Sequence, residues 1–200
     1  MILDAAGTSE VIAEDLGTVP EYVRPSLADL GIAGMKVPQW EFTDGHVTSG
    51  LHYPHLSFAT YASHDHAPMR SQWEQQMRQM RAAEHDGSDY WEARNFLLTL
   101  CAFAGIETPG GEIPEYSHEI QESLLRELFF SNSGRVAVLI NDLIYDTERI
   151  NVPGVMDGSN WSFRLPMTAR ELIGGKEYWE MRGVLKKLLN ESGRSRRVNG

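Results

Sequence analysis

The sequence predicts an α/β protein built on parallel strands. Short apolar or β-branched runs recur along the chain, and each is followed by a polar loop and mostly by an amphipathic helix. Acids and histidines gather just after these runs rather than within them. With 200 residues, 42% of them hydrophobic and 23% charged, the chain has material for one substantial core and reads as a single globular domain over residues 1–200.

The first strand is read at Glu10-Val11-Ile12-Ala13-Glu14. Thr18-Val19-Pro20-Glu21 has the form of a capping box with proline in the first turn, so a helix is expected over about residues 19–30. Met35-Lys36-Val37-Pro38-Gln39-Trp40 reads as a second strand and Ser57 to Ser63 as a third, with His46, His52 and His55 in the loop between them. Two long helices follow, Met69 to about Glu84 and Asp89 to Ala104, the second stopped by Gly105. Another opens after Pro114, with Ile120, Leu124, Leu125, Leu128 and Phe129 at helical spacing. Arg135 to Asn141 is the fourth strand, its five consecutive apolar residues suiting burial on both faces. Thr168-Ala169-Arg170-Glu171 is a second capping box, and Tyr178 to Asn190 closes the chain as an amphipathic helix. Four such strands fit a small open sheet or half of an eight-stranded barrel.

A net charge of −10 opposes polyanions, so neither nucleic acid nor an anionic membrane is an expected partner. The basic residues Lys186, Lys187, Arg194, Arg196 and Arg197 read as a cationic helix end and frayed tail. The single cysteine, Cys101, lies in an apolar run and reads as core filling in a reducing compartment. Met1 to Ala6 does not read as a secretory signal, and no apolar stretch approaches the roughly 18 residues that span a bilayer, so a cytoplasmic protein is expected. Gly105, Gly110 and Gly111 are turn glycines without the spacing of a phosphate cradle.

Ligands of α/β proteins sit at the carboxyl ends of strands, where Glu14-Asp15, His64-Asp65-His66 and Asn141-Asp142 fall. Glu14 and Asp65 end different strands and could face one cleft. Two carboxylates flanking a bond are what glycoside chemistry needs, one to move a proton and one to support an oxocarbenium-like transition state. The plainer reading has Glu14 and Asp15 opening a solvated loop, and the pattern alone leaves both standing. His64, Asp65 and His66 could instead ligate zinc or manganese, although no standard metal spacing occurs. Trp40, Tyr61 and Trp161 lie where a sugar could stack on them, whereas Trp73, Trp91 and Trp179 occupy helix positions and read as core.

Four segments together resemble the amylomaltase family, the 4-α-glucanotransferases of glycoside hydrolase family 77. Ile12-Ala13-Glu14-Asp15-Leu16-Gly17 resembles the segment of its acid/base glutamate, and Gly34-Met35-Lys36-Val37 the strand that follows. Ser63-His64-Asp65 resembles its Thr-His-Asp. Arg149-Ile150-Asn151-Val152-Pro153-Gly154 and Asn160-Trp161-Ser162-Phe163-Arg164 resemble its C-terminal motifs. The resemblance implies a (β/α)₈ TIM barrel in which these strands are the fifth to eighth, so that the chain is its C-terminal half. It implies Glu14 as general acid/base, Asp65 as transition-state stabiliser, His64 as a ligand of the reacting glucose and Asn151 as part of an adjacent sugar subsite. The implied reaction moves α-1,4-glucan segments to the 4-hydroxyl of an acceptor sugar by retaining double displacement, with no cofactor and no metal.

Three departures stand out. His66 replaces a frequent Asn, and Asn141-Asp142 replaces Gln-Asp, which bears on the outer sugar contacts. The family's nucleophilic aspartate belongs to an Arg-x-Asp-His segment, and no Arg-x-Asp occurs in this chain. The expectation is therefore a fragment lacking the N-terminal half and its nucleophile, inactive alone, with that half as a possible partner. Two alternatives accompany it: a non-catalytic glucan-binding half-barrel partner, and a metal-dependent hydrolase using His64, Asp65 and His66.

Overall fold

The computed structural model describes residues 2–195. Four parallel strands form one sheet in the order β1-β2-β5-β6: β1 (Ile12–Ala13), β2 (Ala33–Lys36), β5 (Ser57–Ala59) and β6 (Arg135–Val136). The expected strands are all present and all shorter. Pro38 has no N–H for a ladder, and it opens a 3-10 turn over Pro38–Trp40 that ends the second strand early. Thr60 still donates its N–H to the Lys36 carbonyl at 3.0 Å, but its hydroxyl then closes a turn onto Ala62.

The fourth strand departs most from expectation. Residues 136–140 are half-buried, and Ile140–Leu143 forms a short helix, α6. The reason is position: among the described residues β6 pairs only with β5 and lies at the edge of the sheet. The loop holding His46 also contains structure that was not expected. Phe42–Thr43 (β3) and His46–Val47 (β4) make an antiparallel hairpin around Asp44-Gly45, both at positive φ.

The first strand-to-helix connection carries α2 (Val23–Asp29), later and shorter than the expected helix, and the Thr18–Glu21 box does not cap it. Pro25 explains this. A helix begun at residue 19 would need an N–H from Pro25 in its second turn, whereas a start at Val23 leaves Pro25 in the first turn, where no N–H is required. The second box is formed: Thr168 accepts from the Glu171 N–H and Glu171 accepts from the Thr168 N–H, opening α7 (Ala169–Gly174).

Between β5 and β6 the chain inserts three helices, α3 (Met69–Ala82), α4 (Ser88–Ala104) and α5 (His118–Phe130). Their apolar faces meet in the main core, where Trp73, Leu97, Leu100, Leu124 and Leu128 pack with Ala59 of the sheet. Cys101 is buried there as core filling. Gly105 ends α4 in the left-handed region at φ +63°, as its C-cap reading requires. Tyr61 is also core, its hydroxyl donated to the Leu124 carbonyl at 2.7 Å, so it is not a ligand platform. Trp91 and Trp179 were expected in the core but are 44% and 70% exposed; each sits in the first turn of its helix on the solvent side.

The last helix, α8 (Trp179–Glu191), lays Leu188 against Leu125 and Phe129 of α5. Arg194 is no frayed end: it donates to the carbonyls of Phe129, Ser131 and Ser133 at 2.6–2.8 Å, fastening the chain onto the exit of α5. Arg196 and Arg197 lie outside the described residues. Among the described residues, no helix is long and apolar enough to cross a membrane.

Candidate active site

Strand register decides which side chains share a face. Ile12 pairs with Ala33, Met35 with Phe58, and Phe58 with Arg135, so these residues share one face, and alternation adds Glu10 and Glu14 from either side of β1. The helices cover the opposite face. Ile12 is 40% exposed on the uncovered side. Across that face Arg135 forms a two-pronged ion pair with Glu10, at 2.9 and 2.6 Å, linking the beginnings of the two edge strands.

The pair Glu14-Asp15 is divided by this alternation. Asp15 turns to the covered side, where it is buried and accepts from the Met35 N–H at 2.7 Å and from Arg24 at 3.2 Å. A Cβ on Gly34 would lie 2.9 Å from the Asp15 carboxylate, which is why the second strand carries glycine there. Glu14 is left exposed, at the carboxyl end of β1.

Asp65 lies at the centre of a polar cluster just beyond β5. Its carboxylate accepts from Asn151 Nδ2 at 2.6 Å, and His64 Nε2 stands 3.4 Å from the same oxygen. Arg149 was given no individual role by the sequence reading, yet it fixes this arrangement. It donates to the Asp65 carbonyl at 2.6 Å and to the Asn151 carbonyl at 3.3 Å. Asn160 clasps the same loop, accepting from the Val152 N–H and donating to the carbonyls of Val152 and Val155.

Two tryptophans flank the cluster: Trp161 lies against His64 with ring centroids 4.9 Å apart, and Trp40 against His66 at 5.1 Å. Both are exposed, at 44% for Trp40 and 60% for Trp161. Burial holds the His66 imidazole below its usual pKa; Asp65 and Glu14 pull it upward, and Arg149 and His64 push it down. Glu14 and Asp65 are thus both among the charges that bear on this histidine.

Two further expectations change. Among the described residues, no three His, Cys, Asp or Glu side chains converge as a metal site would require. His66 instead directs Nδ1 to the Ser63 hydroxyl at 3.1 Å. Asn141 and Asp142 are 0% and 6% exposed in α6, so neither side chain can make an outer sugar contact. A separate cavity of about 390 Å³ between α5 and α8, lined by Gln121, Leu125, Tyr145 and Met181, holds none of the four site residues.

A sequence profile described as 4-alpha-glucanotransferase matches residues 1–168. The chain belongs to the 4-alpha-glucanotransferase family. It is 28% identical over 184 residues to the 4-alpha-glucanotransferase of Chlamydia pneumoniae, covering 89% of this chain and 32% of that protein. With the enzyme of Chlamydia trachomatis serovar D it shares 29% over 168 residues, covering 80% and 29%. The chain thus spans about a third of the length of these 4-alpha-glucanotransferases. In fold it is similar to an amylomaltase from Streptococcus agalactiae in complex with acarbose, with a TM-score of 0.65 at 22% identity, over 96% of this chain and 33% of that one. A mixed α/β architecture resembling the amylomaltases is therefore established for this member of the 4-alpha-glucanotransferase family.

Proposed function

We propose that residues 1–200 form the fifth to eighth strands of a (β/α)₈ barrel and supply two of the three carboxylates of a 4-α-glucanotransferase. The observation that carries this reading is the joining of Asp65, His64 and Asn151 beyond the carboxyl end of β5, with Glu14 at the carboxyl end of β1 in the same parallel sheet, β2 lying between. Membership in the family supplies the reaction class. The substrates proposed are α-1,4-glucans.

In the first half of the reaction Glu14 protonates the departing 4-oxygen as the C1–O4 bond breaks, while an aspartate outside this chain bonds to C1. In the second half the 4-hydroxyl of an acceptor sugar attacks C1, Glu14 takes its proton, and the bond to the aspartate breaks. Asp65 meets the positive charge that develops at C1 in both transition states, and Asn151 and His64 hold its carboxylate in place. His64 and Asn151 also offer donors to sugar hydroxyls, and Trp40 and Trp161 offer faces to sugar C–H groups.

Purified alone, the chain is expected to leave maltotriose unchanged. Produced together with the N-terminal part of a longer relative, it should release glucose and build longer maltodextrins. Glu14→Gln in that assembly should lower turnover by roughly 10²–10⁴-fold. Turnover by the isolated chain, or an undiminished rate in the Glu14→Gln assembly, would refute the assignment. Binding of maltodextrin without turnover in the assembly would favour a non-catalytic glucan-binding role.

A further inference from the structure

The residues of the cluster lie on two loops, one after β5 and one after α6, and both loops are fastened to the same buried pair. Asp142 accepts from the Met69 N–H at 2.5 Å, four residues beyond Asp65. Met69 opens α3, and Pro68 before it provides no side-chain cap, so a carboxylate from a distant element satisfies that first helical N–H. Asn141 donates to the Glu148 carbonyl at 3.0 Å, immediately before Arg149 and three residues before Asn151. Gln121 of α5 in turn donates to the Asp142 carbonyl at 2.5 Å, fixing α6 to the helical core.

We infer that Asn141 and Asp142 are positioning residues, a buried pair that sets the separation between the loop of Asp65 and the loop of Arg149 and Asn151. Neither side chain can reach a ligand, so their effect passes through backbone. The Asp142–Met69 tie is fully buried, and losing it leaves a buried N–H without a partner; the Asn141–Glu148 tie is buried at its Asn141 end. A site held through side chains on loops needs such a supporting layer to keep its geometry. The inference rests on Asp65 and Asn151 being site residues, but its geometry stands apart from any glycosyl chemistry.

Amide hydrogen exchange on the 200-residue chain tests it without any sugar. Asp142→Ala should speed exchange in residues 65–69 and 148–152 by about tenfold or more, with the amides of α4 unchanged. Asp142→Asn keeps an acceptor for the Met69 N–H and should stay within about threefold of the parent in both loops. Equal acceleration across the whole chain, or loop rates that do not move, overturns the inference; so does an Asp142→Asn variant as loose as Asp142→Ala. Should Asp142→Ala fail to fold, Gln121→Ala removes the amide that holds the Asp142 and Leu143 carbonyls of α6, together with an exposed contact to His118: faster exchange confined to the two loops supports the pair, and no change overturns it.

Discussion

Burial raises the pKa of Asp142 to about 7, although the Met69 N–H favours its charged form and pulls the other way. The titratable groups facing it are the Tyr61 and Tyr116 hydroxyls, both kept protonated by burial. Folded chains therefore hold this proton at pH values where unfolded chains have lost it. The stability it contributes is full below about pH 4, declines as pH rises through about 7, and is absent above. The span from 3.8 to about 7 corresponds to an upper bound of roughly 4 kcal/mol. Urea unfolding at pH 5 and pH 8 should show the parent losing stability relative to Asp142→Asn as pH rises; parallel behaviour of the two proteins would contradict this. Part of the candidate site was legible at this scale. Glu14 and Asp65 stood out by type and by place at strand ends, whereas His64 and Asn151 entered as sugar ligands only through the family resemblance; alternation along β1 separates Glu14 from Asp15. The tie from Arg149 to the Asp65 carbonyl was not legible, because its partner lies 84 residues away and is backbone. Asn141 and Asp142 followed a strand, as ligand residues do, but depth of burial is set by α3 and α5 and cannot be read locally.

The elements were legible in kind and less so in extent. Helical spacing found α5 and the amphipathic α8, whose apolar stripes are long enough to show their period, and Gly105 marked the end of α4. The strands have two to four residues each, so periodicity had little to work on and proline or a turn fixed their ends. The β3–β4 hairpin carried a clear signal, Asp44-Gly45 between Thr43 and His46, that the histidine count obscured. Single aromatics on helices were the weakest inference, since spacing gives a period but not which side faces the core. Trp73 is the one that packs fully, between α3, α4 and α5, with its indole N–H on the Pro114 carbonyl at 3.1 Å. Trp73→Ala should cost about 3–5 kcal/mol in urea unfolding. Trp179→Ala should change stability by less than about 1 kcal/mol.

For the molecule as a whole, the α/β class with parallel strands followed from the repeating pattern of run, loop and helix. What the pattern left open was closure, since four parallel strands fit an open sheet or part of a barrel, and only motifs in series favoured the second. The sheet has two edges, at β1 and β6, and the ion pair between Glu10 and Arg135 reaches from one to the other. Its residues are 125 positions apart, the entire sheet lying between them. Both side chains are more than half exposed, so the pair adds at most about 1 kcal/mol. An attraction that weak cannot draw together ends so distant in sequence, and it forms only once the strands between are in place. Its signature is therefore kinetic. Arg135→Met should leave the refolding rate in stopped-flow measurements unchanged and raise the unfolding rate by up to about fivefold, as expected of a contact absent from the transition state.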